Sequence, residues 1–136
     1  MIFMDIVDIL VSRGIVGIVM DSSFIIRLFE EPGCLEDAKH LLHSFKLAIP
    51  YSVYSELGRL ASSGKGRLVN YALEYLTNNY SLSIDESYKG NPDEDLVSMA
   101  LKYQYVVASQ DWGVQRLARS KGLNIIYFKD RYLKLL

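Results

Sequence analysis

The stretch IVGIVMDSSFIIRLFEE, residues 15–31, changes its pattern in mid-course, and that change decides the fold. Residues 15–20 are continuously apolar and rich in β-branched side chains, as a central parallel strand buried on both faces requires. Asp21, Ser22 and Ser23 then offer side-chain oxygens suited to capping a helix. FIIRLFEE follows as that helix, and Pro32-Gly33 stops it.

Working outward, the same alternation recurs. Upstream, residues 3–12 have helical spacing, with Ile6, Ile9 and Leu10 on one face and Gly14 closing the segment. Downstream, a helix over 35–45 turns Leu35, Ala38, Leu41, Leu42 and Phe45 inward, and LAIP is a short strand. Pro50 sits at a tolerated first-turn position of the next helix, which carries Val53, Leu57, Leu60 and Ala61 and ends at SSGKG. A helix over 67–78, the strand YSLSI, a helix opened by Asn91-Pro92-Asp93, the strand YVVAS, a helix over 112–121 and the strand LNIIYF complete the chain. Strands that alternate with helices predict an α/β fold: a parallel sheet of four to five strands, helices on both faces and right-handed crossovers.

At 136 residues, half of them hydrophobic, the chain is one domain with a real core. The single Cys34 excludes an internal disulfide and a cysteine zinc cluster, and only two His, His40 and His43 on one polar-flanked helix, argue against a histidine metal site. No stretch approaches the roughly 20 apolar residues of a membrane span. The apolar opening is interrupted by Asp5, Asp8 and Arg13 and lacks the features of a signal peptide, so the default location is cytoplasmic. Net charge is −1 but uneven: residues 1–58 carry −4, residues 59–110 −1 and residues 111–136 +4. The basic end is compatible with a polyanion partner, although surface helices often look this way without one.

Four acids stand where strands end or the next helix begins: Asp21, Glu56, Asp93 and Asp111. In an open parallel sheet the carboxyl ends of the strands form one rim where ligands bind. Carboxylates gathered there repel one another unless a cation or shared protons neutralise them, and a hard divalent ion is the simplest agent. Each acid also has a plain structural account. Asp21 and Asp111 read as helix N-caps, and Asp93, Glu94 and Asp95 as acids that offset a helix dipole. Glu56 lies on the border of its helix's apolar face, where it either reaches the rim or is simply solvated. Asp93 shares the meridian of Leu96, Val97 and Ala100, which favours it over Asp95, the second choice as an outer contact. Ser109 is placed to orient Asp111 or a water. Four unrelated caps in one charge-balanced chain are a less economical reading than one metal site.

These residues resemble a PIN-domain nuclease, from about Ile15 to Phe128, through VMDSSFII, IPYSVYSELGRLASSGKGR, PDEDLVSMALKY and YVVASQDWGVQRLARSKGLNIIYF. The second and last segments are most similar to the ribosomal-RNA-processing branch, and the four-acid plan is also similar to VapC-type toxins. The resemblance implies a PIN-like three-layer α/β/α sandwich over 15–136, with residues 1–14 a helical extension suited to partner binding or dimer packing. It implies that Asp21, Glu56, Asp93 and Asp111 hold Mg²⁺ or Mn²⁺ for endoribonucleolytic cleavage, with Ser22 and Ser109 in support. It further implies an RNA substrate, an antitoxin or ribosome-assembly partner, and a homodimer. Two departures stand out. Ser109-Gln110-Asp111 replaces the family's frequent Thr-Asn-Asp, and the third acid falls in a run of three.

Oxygen-only ligands suit Mg²⁺ or Mn²⁺, which lower the pKa of a bound water and stabilise the leaving oxygen. Arg59, Lys65, Arg67, Arg116 and Arg119 would hold phosphates without reading sequence. Tyr51, Tyr54 and Trp112 could stack on an unpaired base, but core or rim packing is the preferred role for each. The alternatives are a non-catalytic PIN-like scaffold that binds RNA or protein, which the complete acid set disfavours, and a receiver-type phosphoryl domain, for which the required Asp and Lys arrangement is missing.

Overall fold

The computed structural model describes residues 4–136 and realises the switch in pattern after Met20. Strand β1 (Gly17–Met20) is buried along its whole length, and helix α2 (Ser22–Glu30) starts immediately behind the Asp21 N-cap. Around them lie α1 (Ile6–Ser12), α3 (Cys34–Ser44), β2 (Lys46–Pro50), α4 (Tyr51–Ala61), α5 (Gly66–Tyr80), β3 (Ser83–Asp85), α6 (Pro92–Tyr103), β4 (Tyr105–Ala108), α7 (Trp112–Ser120), β5 (Ile125–Lys129) and β6 (Tyr132–Leu135). The predicted helix from residue 3 begins in residues outside those described, and its described part is capped by a reciprocal Asp5–Asp8 box.

The sheet order is β3-β2-β1-β4-β5-β6, and β1 to β5 are all parallel. The crossover from β1 to β2 runs one way across the sheet and that from β3 to β4 the other. With right-handed connections, their helices therefore fall on opposite faces and make three layers. Helix α6 rests on β1, β2 and β4, while α2 packs among α3, α4 and α5. Because β1 has its successor β2 on one side and β4 on the other, the chain reverses direction at the carboxyl end of β1. That end is where a doubly wound sheet opens a crevice.

The sheet has a sixth strand beyond the predicted four to five. Strand β6 runs antiparallel to β5, with Lys129 opposite Tyr132, so only Asp130 and Arg131 form the turn. Asp130 takes φ 57° there, a left-handed conformation that Asp tolerates but that gives no Asn-Gly signal in the sequence. The Asp37 carboxylate on α3 accepts from the Leu133 backbone N–H at 2.7 Å, which ties this edge strand down.

The core joins all the strands except the half-exposed β3 and β6 to Val7 and Leu10 of α1, so α1 packs with the rest of the chain, against α3. Phe24, fully buried in the first turn of α2, stacks on Phe128 of β5 with centroids 5.1 Å apart. Burying such a ring is worth about 1.5–3 kcal/mol, and the stack adds about 0.5–1.5 kcal/mol. This contact fixes the start of α2, and with it Asp21, relative to β5. Gly17 lets the Tyr105 ring approach closely: a Cβ there would lie 2.5 Å from that ring and push it aside. Among the described residues no helix is long and apolar enough to cross a membrane.

Candidate active site

Register places the first pair of site residues. Met20 pairs with Ala108, so the next residues, Asp21 and Ser109, emerge side by side at the rim, and the Asp21 N–H donates to the Ala108 carbonyl at 3.1 Å. Asp21 is only 7% exposed. Its Oδ1 accepts from the Phe24 N–H at 2.9 Å and the Ser23 hydroxyl at 2.7 Å, and its Oδ2 accepts from the fully buried Ser109 hydroxyl. Burial pushes the Asp21 carboxyl from 3.8 up to about 6. The hydrogen bonds from Ser109, Ser23 and Phe24 oppose that rise, and the charge of Asp111 adds to it. The fold holds a carboxylate where it is least comfortable being charged.

The Ser109 oxygen also accepts from the Asp111 N–H at 3.0 Å, so one hydroxyl links the two acids. Asp111 is exposed and caps α7, its Oδ1 accepting from the Val114 N–H at 3.1 Å. Glu56, half-buried on α4, accepts from the Ser22 hydroxyl, which draws it toward the start of α2. Asp93 is pushed above the usual carboxylate range by partial desolvation and then by the charges of Asp111, Glu56 and Glu94. Asp21, Glu56, Asp93 and Asp111 are therefore linked by mutual repulsion or by hydrogen bonds through Ser22 and Ser109.

The run of three acids divides by role. Asn91 caps α6 by accepting from the Asp93 and Glu94 N–H groups, so none of the three acids is needed as the cap. Asp95 accepts from the Gly90 N–H at 2.9 Å and so holds the preceding loop. Asp93 alone of the three is raised by Asp111 and Glu56, and its carboxylate accepts no hydrogen bond from the described residues.

Two supporting residues escaped the sequence reading. The Ser23 hydroxyl accepts from the Gln110 N–H at 2.9 Å while donating to Asp21. The Gln110 amide donates to the Phe128 carbonyl at 2.9 Å and accepts from its N–H at 2.6 Å, which bolts the rim to β5. Gln110 occupies the middle of the Ser109-Gln110-Asp111 departure, and that oddity was the only available signal.

Of the basic residues, Lys65 is paired with Glu30 at the last turn of α2, about 14 Å along that helix from the Asp21 cap at 1.5 Å per residue. It is not brought to the acids. Arg59 donates to Ser55 on its own helix at 3.3 Å, and Arg67 is exposed on α5. Arg116 and Arg119 are exposed on α7, which starts at Asp111. Lys89, unremarked in the sequence, lies in the loop before α6 with its ammonium 5.5 Å from the Tyr51 ring centroid.

The packing role expected of the rim aromatics is corrected for Trp112, which is 68% exposed, and Tyr54 is also exposed at 40%. A large apolar ring left in water forgoes about 1.5–3 kcal/mol of burial. Arg116, one turn on, sits 4.6 Å over the Trp112 centroid, and a surface cation–π pair returns only about 0.5–1 kcal/mol.

Among the described residues, no three His, Cys, Asp or Glu side chains stand close enough together to grip one cation at once. That arrangement still fits Mg²⁺ or Mn²⁺. Mg²⁺ keeps several waters and is held by one or two carboxylates together with substrate phosphate, not by an all-protein cage. The oxygen-only donors and the raised carboxyls are the chemistry such an ion relieves.

No protein-family model matches the chain, and no curated protein matches it. Among solved structures it is similar to the PIN domain endonuclease Utp24, with a TM-score of 0.66 and 18% sequence identity over 88% of this chain and 90% of that one. At that identity the likeness carries the fold: the chain has the PIN-like α/β/α architecture.

Proposed function

We propose that the protein is a metal-dependent endoribonuclease of the PIN type, with Asp21, Glu56, Asp93 and Asp111 as the carboxylates that bind Mg²⁺ or Mn²⁺ and Asp95 outside that set. One observation carries the reading: the charge of Asp111 raises Asp21 and, with that of Glu56, raises Asp93, serine hydroxyls hold Glu56 and Asp21 at the same rim, and the most buried acid is held at about 6. The similar solved structure is that of an endonuclease, which agrees with this chemistry.

A bound divalent ion would supply an acidified water and polarise the scissile phosphoryl group. The chain's own residues do the positioning. Ser109 and Ser23 fix the Asp21 rotamer, and Ser22 holds Glu56 toward it. The α7 cap aims Asp111 while leaving its second oxygen free of recorded hydrogen bonds. Asp93 projects from α6 without such a bond. Arg116, one turn into α7, and Lys89 hold backbone phosphates near the rim, and Arg119, at the far turn of α7, takes one further along the strand; such contacts orient the strand without specifying sequence.

The test is cleavage of a defined panel of labelled RNAs with Mn²⁺, with Asp21→Asn and Asp111→Asn as controls checked for fold by circular dichroism. Loss of cleavage in both folded variants supports the reading, and full activity in both sinks it. A non-catalytic scaffold is the second reading, favoured by the lack of a closed three-ligand cluster among the described residues. Absence of site-specific Mn²⁺ binding in a titration would select it. A toxin role and a processing role share this chemistry. They separate by partner: an antitoxin encoded beside the gene, or a ribosome-assembly factor. A homodimer and a cytoplasmic location belong to the same proposal.

A further inference from the structure

We infer that Trp112, backed by Arg116, is a stacking platform that holds one unpaired base of the substrate RNA at the start of α7; this rests on the endoribonuclease reading above. Trp112 is the first residue of α7, directly after Asp111, so it is anchored at the edge of the acid rim. It is the only tryptophan of the chain and is 68% exposed. Among the described residues the partner on its ring is Arg116, itself exposed on the same helix, and that contact repays only part of the forgone burial.

The geometry of that partner gives the platform its form. Arg116 follows Trp112 by four residues, hence lies on the same face of α7. Its guanidinium sits over the ring at 4.6 Å, and at 68% exposure most of the residue is still open to solvent. A base entering there makes a base–indole–guanidinium sandwich, with the remaining guanidinium N–H groups able to reach a neighbouring phosphate. Both faces of a base inside a duplex are already stacked, so only an unpaired nucleotide can use the site. Every base has a π face, so the platform reads strandedness and not sequence.

Because Trp112 is the only indole, its fluorescence reports occupancy without any cleavage. Full-length protein is titrated in chelator with a single-stranded RNA, with its perfect duplex and with inorganic polyphosphate, and binding is followed in parallel by anisotropy of the labelled RNA. Saturable quenching by the single strand alone is the expected result, together with about 10-fold weaker single-strand binding by Trp112→Ala and near-normal binding by Trp112→Phe. Duplex binding should be unchanged in both variants. Equal quenching by duplex or polyphosphate overturns the proposal, as does single-strand affinity unaltered by Trp112→Ala. A fluorescence change that follows protein concentration alone overturns it in favour of a second copy covering Trp112. The two readings fail separately. Quenching without Mn²⁺-dependent cleavage removes the nuclease reading and leaves the platform, whereas cleavage without quenching removes only the platform.

Discussion

Replacing Asp21 by Asn should make the metal-free protein more stable at neutral pH while abolishing cleavage. In the unfolded chain the carboxyl titrates at the ordinary 3.8, and in the fold at about 6. Between these values the folded protein keeps a proton that the unfolded chain has released, so stability is full below pH 4 and falls as pH rises through 6. At 1.36 kcal/mol per pH unit, the charged, buried carboxylate costs about 3 kcal/mol at pH 7. Asn keeps an acceptor for the Phe24 N–H and the Ser23 hydroxyl, and its amide can donate to Ser109. Weaker neutral hydrogen bonds return part of the gain, which leaves about 1–3 kcal/mol, or about 3–10 °C in Tm for a chain of this size. The assay is thermal unfolding in chelator from pH 4 to pH 8. The variant curve should meet wild type near pH 4, rise above it between pH 4 and 6, and keep a nearly constant lead at higher pH. Adding Mn²⁺ should then lift wild type, by about 2.7 kcal/mol at a hundred times Kd, and leave the variant nearly unmoved. An Asn variant that melts below wild type at pH 8 would refute the argument.

Three further outcomes follow from the same contacts. Asp93→Asn should abolish Mn²⁺-dependent cleavage with little change in Tm, whereas Asp95→Asn should keep cleavage and cost about 1 kcal/mol by weakening the hydrogen bond to the Gly90 N–H; RNA cleavage and urea denaturation of both variants decide it, and equal loss of activity counts against the division of roles. Ser109→Ala leaves the Asp21 oxygen and the Asp111 N–H without their shared hydroxyl, so it should lower both stability, by about 1–3 kcal/mol, and cleavage. Gly17→Ala presses a methyl into the Tyr105 ring and should destabilise by about 1–3 kcal/mol, an effect that Tyr105→Leu should partly relieve in the double variant.

The architecture was legible because burial leaves a signature along the chain. The uninterrupted run at 15–20 became the fully buried β1, and Asp21 and Asp111, the acids that close the runs before α2 and α7, became helix caps at the rim. Strand β6 was not legible, since its turn rests on an Asp in a left-handed conformation and its alternation spans only four residues. The supporting shell was hidden for another reason. Ser23 and Gln110 meet across 87 residues of sequence, and neither the capping role legible at Ser23 nor the odd Gln within Ser109-Gln110-Asp111 names that partner. Lys65 was misleading in the opposite sense, as a cation near the acids in sequence order that the fold spends on Glu30.

Capping and metal binding looked like competing accounts of the acids, but the geometry makes them complementary. A carboxylate has two oxygens and about four acceptor sites. Asp111 gives Oδ1 to the Val114 N–H and keeps Oδ2 outside any recorded hydrogen bond. Asp21 gives Oδ1 to the α2 cap and Ser23, and Oδ2 to a serine hydroxyl that can rotate. The cap therefore aims the acid, because an oxygen bonded to the helix amide cannot swing away with solvent. The same helix start contributes a positive dipole end that favours the charged form, against the desolvation and like-charge repulsion that oppose it. This is why Asn is the informative substitution at both positions. It keeps the cap, at a cost of tenths of a kcal/mol at most, and removes only the charge, so loss of function in a folded Asn variant separates the ligand role from the structural one.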